Sequence, residues 1–149
     1  MLFVGEAPPA SGRFFYRGDS GLYRAMLEAF SSVDDTIEEG AFLDRFRDCG
    51  CYLVDLCPAP VDGLDREARR AACGESEGRL SRIFRRLQPA VIVTVVRSIE
   101  GNVERAAALA AWKGEWVRVP YPGRWAHLKR RFIEGLEPIL LRVASKQVG

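Results

Sequence analysis

Four short runs of apolar, β-prone residues punctuate the chain: Leu2 to Gly5, Cys51 to Leu56, Val91 to Val96 and Trp116 to Tyr121. The third run, Val91-Ile92-Val93-Thr94-Val95-Val96, is almost continuously apolar. That is the pattern of a strand buried on both faces, as in a parallel sheet. Between the runs the apolar positions move to helical spacing. Leu22, Met26 and Phe30 share one helix face, as do Leu80, Ile83, Phe84 and Leu87. Gln88-Pro89 ends the second of these helices, because proline cannot continue it. Ala106 to Trp112 reads as part of another helix. A last stripe of Trp125, Leu128, Phe132, Leu136, Ile139 and Val143 predicts a C-terminal helix with its aromatics in the core and a bend at Pro138.

Strands alternating with helices predict an α/β fold: a three-layer sandwich with a central, mainly parallel four-stranded sheet flanked by helices. The length of 149 residues suits a single domain over 1–149. Right-handed crossovers are expected, and ligands in such sheets bind at the carboxyl ends of the strands. The loops that matter are then Gly5 to Tyr16, Asp55 to Pro60, Arg97 to Asn102 and Pro120 to Trp125.

Composition refines this little. Hydrophobic residues make up 48% and charged residues 28%, which excludes disorder. A net charge of +2 is too mild to announce nucleic-acid binding by itself. Acidic residues gather at Asp34, Asp35, Glu38 and Glu39, and basic ones at Arg79, Arg82, Arg85 and Arg86 and at Arg124, Lys129, Arg130 and Arg131. Each cluster alone reads as a solvated helix face. No apolar run is long enough for a membrane span, and Met1 leads straight into the first strand without a signal peptide. Cys49, Cys51, Cys57 and Cys73 lack the paired spacing of a structural zinc site. Buried thiols in a reduced, cytoplasmic protein are expected.

Three loops carry the candidate chemistry. The first, Gly5-Glu6-Ala7-Pro8-Pro9-Ala10-Ser11-Gly12-Arg13-Phe14-Phe15-Tyr16, puts a carboxylate at a strand exit with three aromatics close behind. The second, after Tyr52-Leu53-Val54-Asp55, embeds an acid in an apolar strand, which is costly unless the acid is paired or bound. The third, Val119-Pro120-Tyr121-Pro122-Gly123-Arg124-Trp125, is a rigid turn with an arginine and a tryptophan at its lip. Each is compatible with an ordinary turn or cap.

Taken together, these segments resemble the uracil-DNA glycosylase superfamily. Gly5-Glu6-Ala7-Pro8 and Gly12-Arg13-Phe14-Phe15 resemble the GEAPG motif of its thermostable, iron–sulfur branch. Cys51 to Pro58 is similar to the strand that carries the base-reading asparagine in the single-strand-selective branch. Gln88 to Val93 is similar to the buried third strand, and Val119-Pro120-Tyr121-Pro122 stands where the family has a histidine-proline-serine motif. The resemblance spans most of the chain in the right order. It implies a monomer that acts on DNA, single- or double-stranded, flips out a damaged base and hydrolyses its glycosidic bond without metal or organic cofactor. It implies Glu6 as the group that orients water and Tyr121 as a donor to the departing base. Phe15, with Phe14 next, would stack on the base; Ala7, Pro8 and Asp55 would complete the base pocket. Arg97, Arg124 and Trp125 would meet the DNA.

The chain departs from the family in four places. Ala7 stands where other branches carry a water-activating Asp or Asn, and the loop from Pro9 to Gly12 is short. Asp55 replaces the asparagine; an ionised carboxylate only accepts hydrogen bonds, so base edges presenting donors are expected to suit it better than uracil. Tyr121 replaces the histidine, while His127, the single histidine, reads as a helix-surface residue. The early cysteine pair of the iron–sulfur branch is missing, so no cluster is expected. The chain also opens at its first strand, where the family usually has a preceding helix; either the fold is trimmed or the true start lies upstream. Two classes of function therefore remain: a divergent base glycosylase, or a relative that binds a nucleotide, a nucleic acid or a protein without catalysis.

Overall fold

The computed structural model describes residues 1–147. At its centre lies a wholly parallel sheet of β1 (Leu2–Gly5), β2 (Tyr52–Asp55), β3 (Val91–Thr94) and β4 (Glu115–Arg118), in the order β2-β1-β3-β4. Among the described residues six α-helices surround it: α1 (Gly21–Val33), α2 (Phe42–Asp48), α3 (Arg66–Glu75), α4 (Glu77–Leu87), α5 (Glu100–Leu109) and α6 (Ala126–Gln147). The α/β three-layer architecture is thus present, with every strand pair parallel.

Side chains along the strands alternate between two cores, as the period of two requires. Phe3, Leu53 and Val93 pack with Met26, Phe30, Phe46, Phe132 and Leu136 from α1, α2 and α6. Leu2, Val4 and Ile92 pack with Cys73, Leu80, Phe84, Val103 and Ala106 from α3, α4 and α5. The helices change face where the strand order reverses direction, between β1 and β3. A constant crossover hand imposes this. All four residues of β1 are buried.

Local signals set the boundaries. The Ser20 side chain accepts from the Tyr23 amide at the start of α1, and Asp65 accepts from the Ala68 amide at the start of α3. Gln88 takes a left-handed conformation, φ 45°, and Pro89 follows, so α4 stops where the sequence predicts.

Four expectations need correction. Helix α5 ends at Leu109, short of Trp112. Ala111 turns to φ 52°, and the Trp112 indole N–H instead donates to the Pro89 carbonyl at 2.7 Å. Strand β4 begins at Glu115 and ends at Arg118, because Pro120 and Pro122 have no N–H to pair; Val119 makes the last sheet bond, to the Thr94 carbonyl. Trp125 is not core: it precedes α6 and is 60% exposed, its carbonyl receiving the Leu128 and Lys129 amides. The acidic residues Asp34 to Glu39 lie between α1 and α2 rather than on a helix face, and Asp34 pairs with Arg45. Pro138 lies inside α6 without ending it.

The edge strand β2 has an unusual partner. The Tyr16 hydroxyl accepts from the Leu53 amide at 2.6 Å and donates to the Leu53 carbonyl at 3.0 Å. Burial pushes the pKa of this phenol up to about 12, so it stays protonated as both bonds require. No helix among the described residues is long and apolar enough to cross a membrane.

The aromatic cluster beneath β1 anchors the fold. Phe46 meets Phe3, Phe15, Phe30 and Phe42 with ring centroids 5.2–5.9 Å apart. Phe46→Ala is expected to lower the unfolding free energy by about 3–5 kcal/mol, read from the urea midpoint at constant slope.

Candidate functional site

The carboxyl ends of β1, β2 and β3 open into a cavity of about 360 Å³. It lies at the switch point of the strand order, where the geometry of a doubly wound sheet leaves a crevice. Gly5, Glu6 and Ala7 from the end of β1, Leu53 and Asp55 from β2, and Val95 and Val96 beyond β3 form much of its wall. Phe14, Phe15 and Tyr121 line it from the loops, together with Asp62 and Arg69. Five residues expected from the sequence, Glu6, Ala7, Phe15, Asp55 and Tyr121, therefore share one cavity.

The remaining four expected residues lie elsewhere. Pro8 lines an adjoining hollow beside β2. Arg97, Arg124 and Trp125 are exposed and do not line the cavity. His127 is exposed at the start of α6, against the Trp125 ring.

Glu6 is held from behind. Arg69 of α3 donates Nε to Glu6 Oε2 at 3.0 Å and Nη2 to Glu6 Oε1, a two-pronged pair. The Cys73 thiol, one helical turn on, faces Glu6 Oε2 at 3.8 Å, and the Cys57 thiol donates to Cys73 Sγ at 3.7 Å. Burial is the main cause of a Cys73 pKa raised to about 12. Arg69 and Cys73 were not read as partners of Glu6, since nothing local links positions 6 and 69.

Asp55 is held by close packing. In register opposite Gly5, it places Oδ1 only 2.6 Å from where a Cβ on Gly5 would stand. A side chain at position 5 would displace the carboxyl group. Burial is the main cause of a raised Asp55 pKa, from 3.8 to about 6; the Arg79 charge opposes it. Arg79 Nη1 donates to the Asp55 and Leu56 carbonyls at 2.7 and 3.0 Å, which fixes the strand exit. Tyr121 is also raised, by burial and then by the negative charges of Asp55 and Asp62, so its hydroxyl remains a donor.

The loop from Gly5 to Tyr16 is tied down at both ends. The Ala10 amide donates to Asp62 at 2.9 Å and the Phe14 amide to Asp19 at 2.7 Å. Gly12, at φ 80°, closes a turn back to the Pro9 carbonyl. Phe15 lines the cavity but is only 3% exposed, its ring packed against Tyr16, Tyr23 and Phe46. Of the two phenylalanines, Phe14 is the one with accessible surface, at 37%. Among the described residues, no group of three or more His, Cys, Asp or Glu side chains is placed to hold a metal, and no disulfide links the four cysteines.

No family model matches the chain, and no curated protein matches it in sequence. The site is accordingly read from its own chemistry.

A carboxyl group more acidic in the unfolded chain than in the fold makes stability depend on pH. The fold binds the Asp55 proton more tightly, so this contribution is fully present below 3.8 and is lost as pH rises through about 6. Asp55→Asn should therefore gain stability relative to the parent as pH rises from 4 to 8, by on the order of 2 kcal/mol. Urea unfolding at the two pH values tests this; an equal offset at both would contradict it.

Proposed function

We propose that the cavity is the base pocket of a divergent DNA base glycosylase, which hydrolyses the N-glycosidic bond of a damaged nucleotide turned out of its strand. The observation that carries this reading is the half-buried Asp55 carboxylic acid, lining the same cavity as Tyr121 and an accessible phenylalanine ring. The cavity volume falls in the range of small-ligand pockets. Phe14, with Tyr16 behind it at 5.6 Å between centroids, supplies an aromatic face, and stacking of this kind tolerates any base. Hydrogen bonds from Asp55 supply the discrimination.

Asp55 reads different edges in its two states. Ionised, it accepts only, and suits an edge that presents an amino group beside a ring N–H. Protonated, it offers one donor and one acceptor, the pattern of an asparagine amide. Since its pKa stands near 6, the ionised form dominates above neutral pH. Amino-bearing bases are then preferred and uracil is disfavoured.

In the reaction, the bond between C1′ and the base nitrogen breaks and its electron pair leaves with the base. Tyr121 donates to the departing base and stabilises the charge it gains. Water adds its hydroxyl to C1′, oriented by Glu6, and its remaining proton passes to the base or to solvent. Arg97, Arg124 and Trp125 contact the DNA outside the pocket, so binding weakens with salt. The protein works as a monomer in the reducing cytoplasm, a setting compatible with four cysteines that form no disulfide.

One observation favours a second reading, a base binder that does not cut. Both Glu6 oxygens already accept from Arg69, which leaves them less open to hold a water for attack.

The test is base release from oligonucleotides carrying single uracil, hypoxanthine, xanthine or cytosine-derived lesions at pH 5 and pH 8. Parent, Glu6→Gln and Asp55→Asn proteins are compared. The expected outcome is release of an amino-bearing base at pH 8, lost at least a hundredfold in Glu6→Gln, with Asp55→Asn shifted towards uracil. DNA binding without release of any base supports the second reading. A parent preference for uracil at pH 8 overturns the role given to Asp55.

A further inference from the structure

A second hollow of about 370 Å³ lies beside β2, next to the main cavity. The two share Phe14, Leu53 and Asp55 as a common wall. Pro8, Tyr16, Tyr52, Pro58 and Arg79 are among the other residues that line the second hollow. From the common wall a line of rings runs outward: Phe14 to Tyr16 at 5.6 Å between centroids, then Tyr16 to Tyr52 at 5.9 Å. The outermost ring, Tyr52, is 51% exposed although it opens a sheet strand.

We propose that this hollow is a subsite for the nucleobase next to the one held in the main cavity, with Tyr52 as its stacking ring. The inference rests on the base-pocket reading and adds to it a preference for a strand over an isolated nucleotide. Single exposed aromatics are ordinary, but this one stands at the end of a packed ladder that leads out of the candidate pocket. The middle ring is tethered, because the Tyr16 hydroxyl both accepts from and donates to Leu53. A base docking against Tyr52 therefore meets a platform that is already ordered, which lowers the entropy cost of binding. Arg79, anchored through Nη1 on the strand carbonyls, sets a fixed positive charge in the same hollow, suited to the phosphate between two bases. Stacking on rings beside a fixed cation is how sequence-tolerant proteins hold single strands.

The test compares deoxyguanosine monophosphate, whose base presents an amino group beside a ring N–H, the dinucleotide of deoxyguanosine, and a dinucleotide whose second position is abasic, each titrated by calorimetry. Stacking of one base predicts that the intact dinucleotide binds about ten- to a hundredfold more tightly than the abasic one. Tyr52→Leu should abolish that advantage and leave the monophosphate unchanged, and Tyr52→Phe should keep it. Tyr52 is exposed and outside both cores, so the variant is expected to fold, which circular dichroism verifies. If the monophosphate binds but the second base adds nothing, or Tyr52→Leu leaves its advantage intact, the subsite is overturned while the base pocket stands. If none of the three ligands binds, the base-pocket reading fails and the subsite falls with it.

Discussion

Burial of β1 on every side is the constraint from which the site follows. A strand with no access to water must pair its amides and carbonyls within the protein. β2 and β3 meet that demand from either flank. Because all three run parallel, the connections cross over the sheet and leave it on opposite faces, and the crevice between them opens above the carboxyl end of β1. The residues that leave β1 there, Gly5, Glu6 and Ala7, become cavity wall for this topological reason. Gly5 then does what no other residue could, since its missing side chain is the space occupied by Asp55.

Two carboxyl groups in one cavity are driven to different behaviour by their surroundings. Glu6 is anchored by an arginine on one side and a buried thiol on the other, which fixes its direction. Asp55 has an arginine nearby that bonds to its backbone carbonyl, so burial outweighs the charge and its proton is held towards neutrality. Environments that separate two acids are how one pocket assigns two roles. The cost is borne by the fold: the Asp55 charge is expensive, and the surrounding register and Arg79 hold it in place.

The sheet was legible in the sequence because its signal is local. Leu2 to Gly5 and the run from Val91 show strand character without help from distant residues, and a break such as Gln88-Pro89 acts on its own helix. Trp112 and Trp125 were misplaced for the opposite reason. Periodicity put Trp112 in a helix and Trp125 in the core, yet Trp112 lies beyond its helix and bonds a carbonyl 23 residues earlier, and Trp125 faces solvent. At the site, Glu6, Asp55 and Tyr121 stood out as polar groups at strand exits. Their partners did not. Arg69 is one of several arginines in its stretch, and its bond to Glu6 spans 63 positions, which only the folded chain brings together. The burial of Phe15 was likewise decided by packing against Tyr23 of α1 and Phe46 of α2.

The phenol of Tyr16 has a further consequence. An outer strand normally offers its free backbone groups to any chain that drifts past, which invites association between molecules. Here one side chain occupies both groups of Leu53, in the middle of β2, and imitates a neighbouring strand at a single point. An intruding chain would have to expel that ring before it could add to the sheet. The residue that steadies the loop after β1 also closes this border of the sheet to growth, so a substitution at Tyr16 would tax solubility as well as shape.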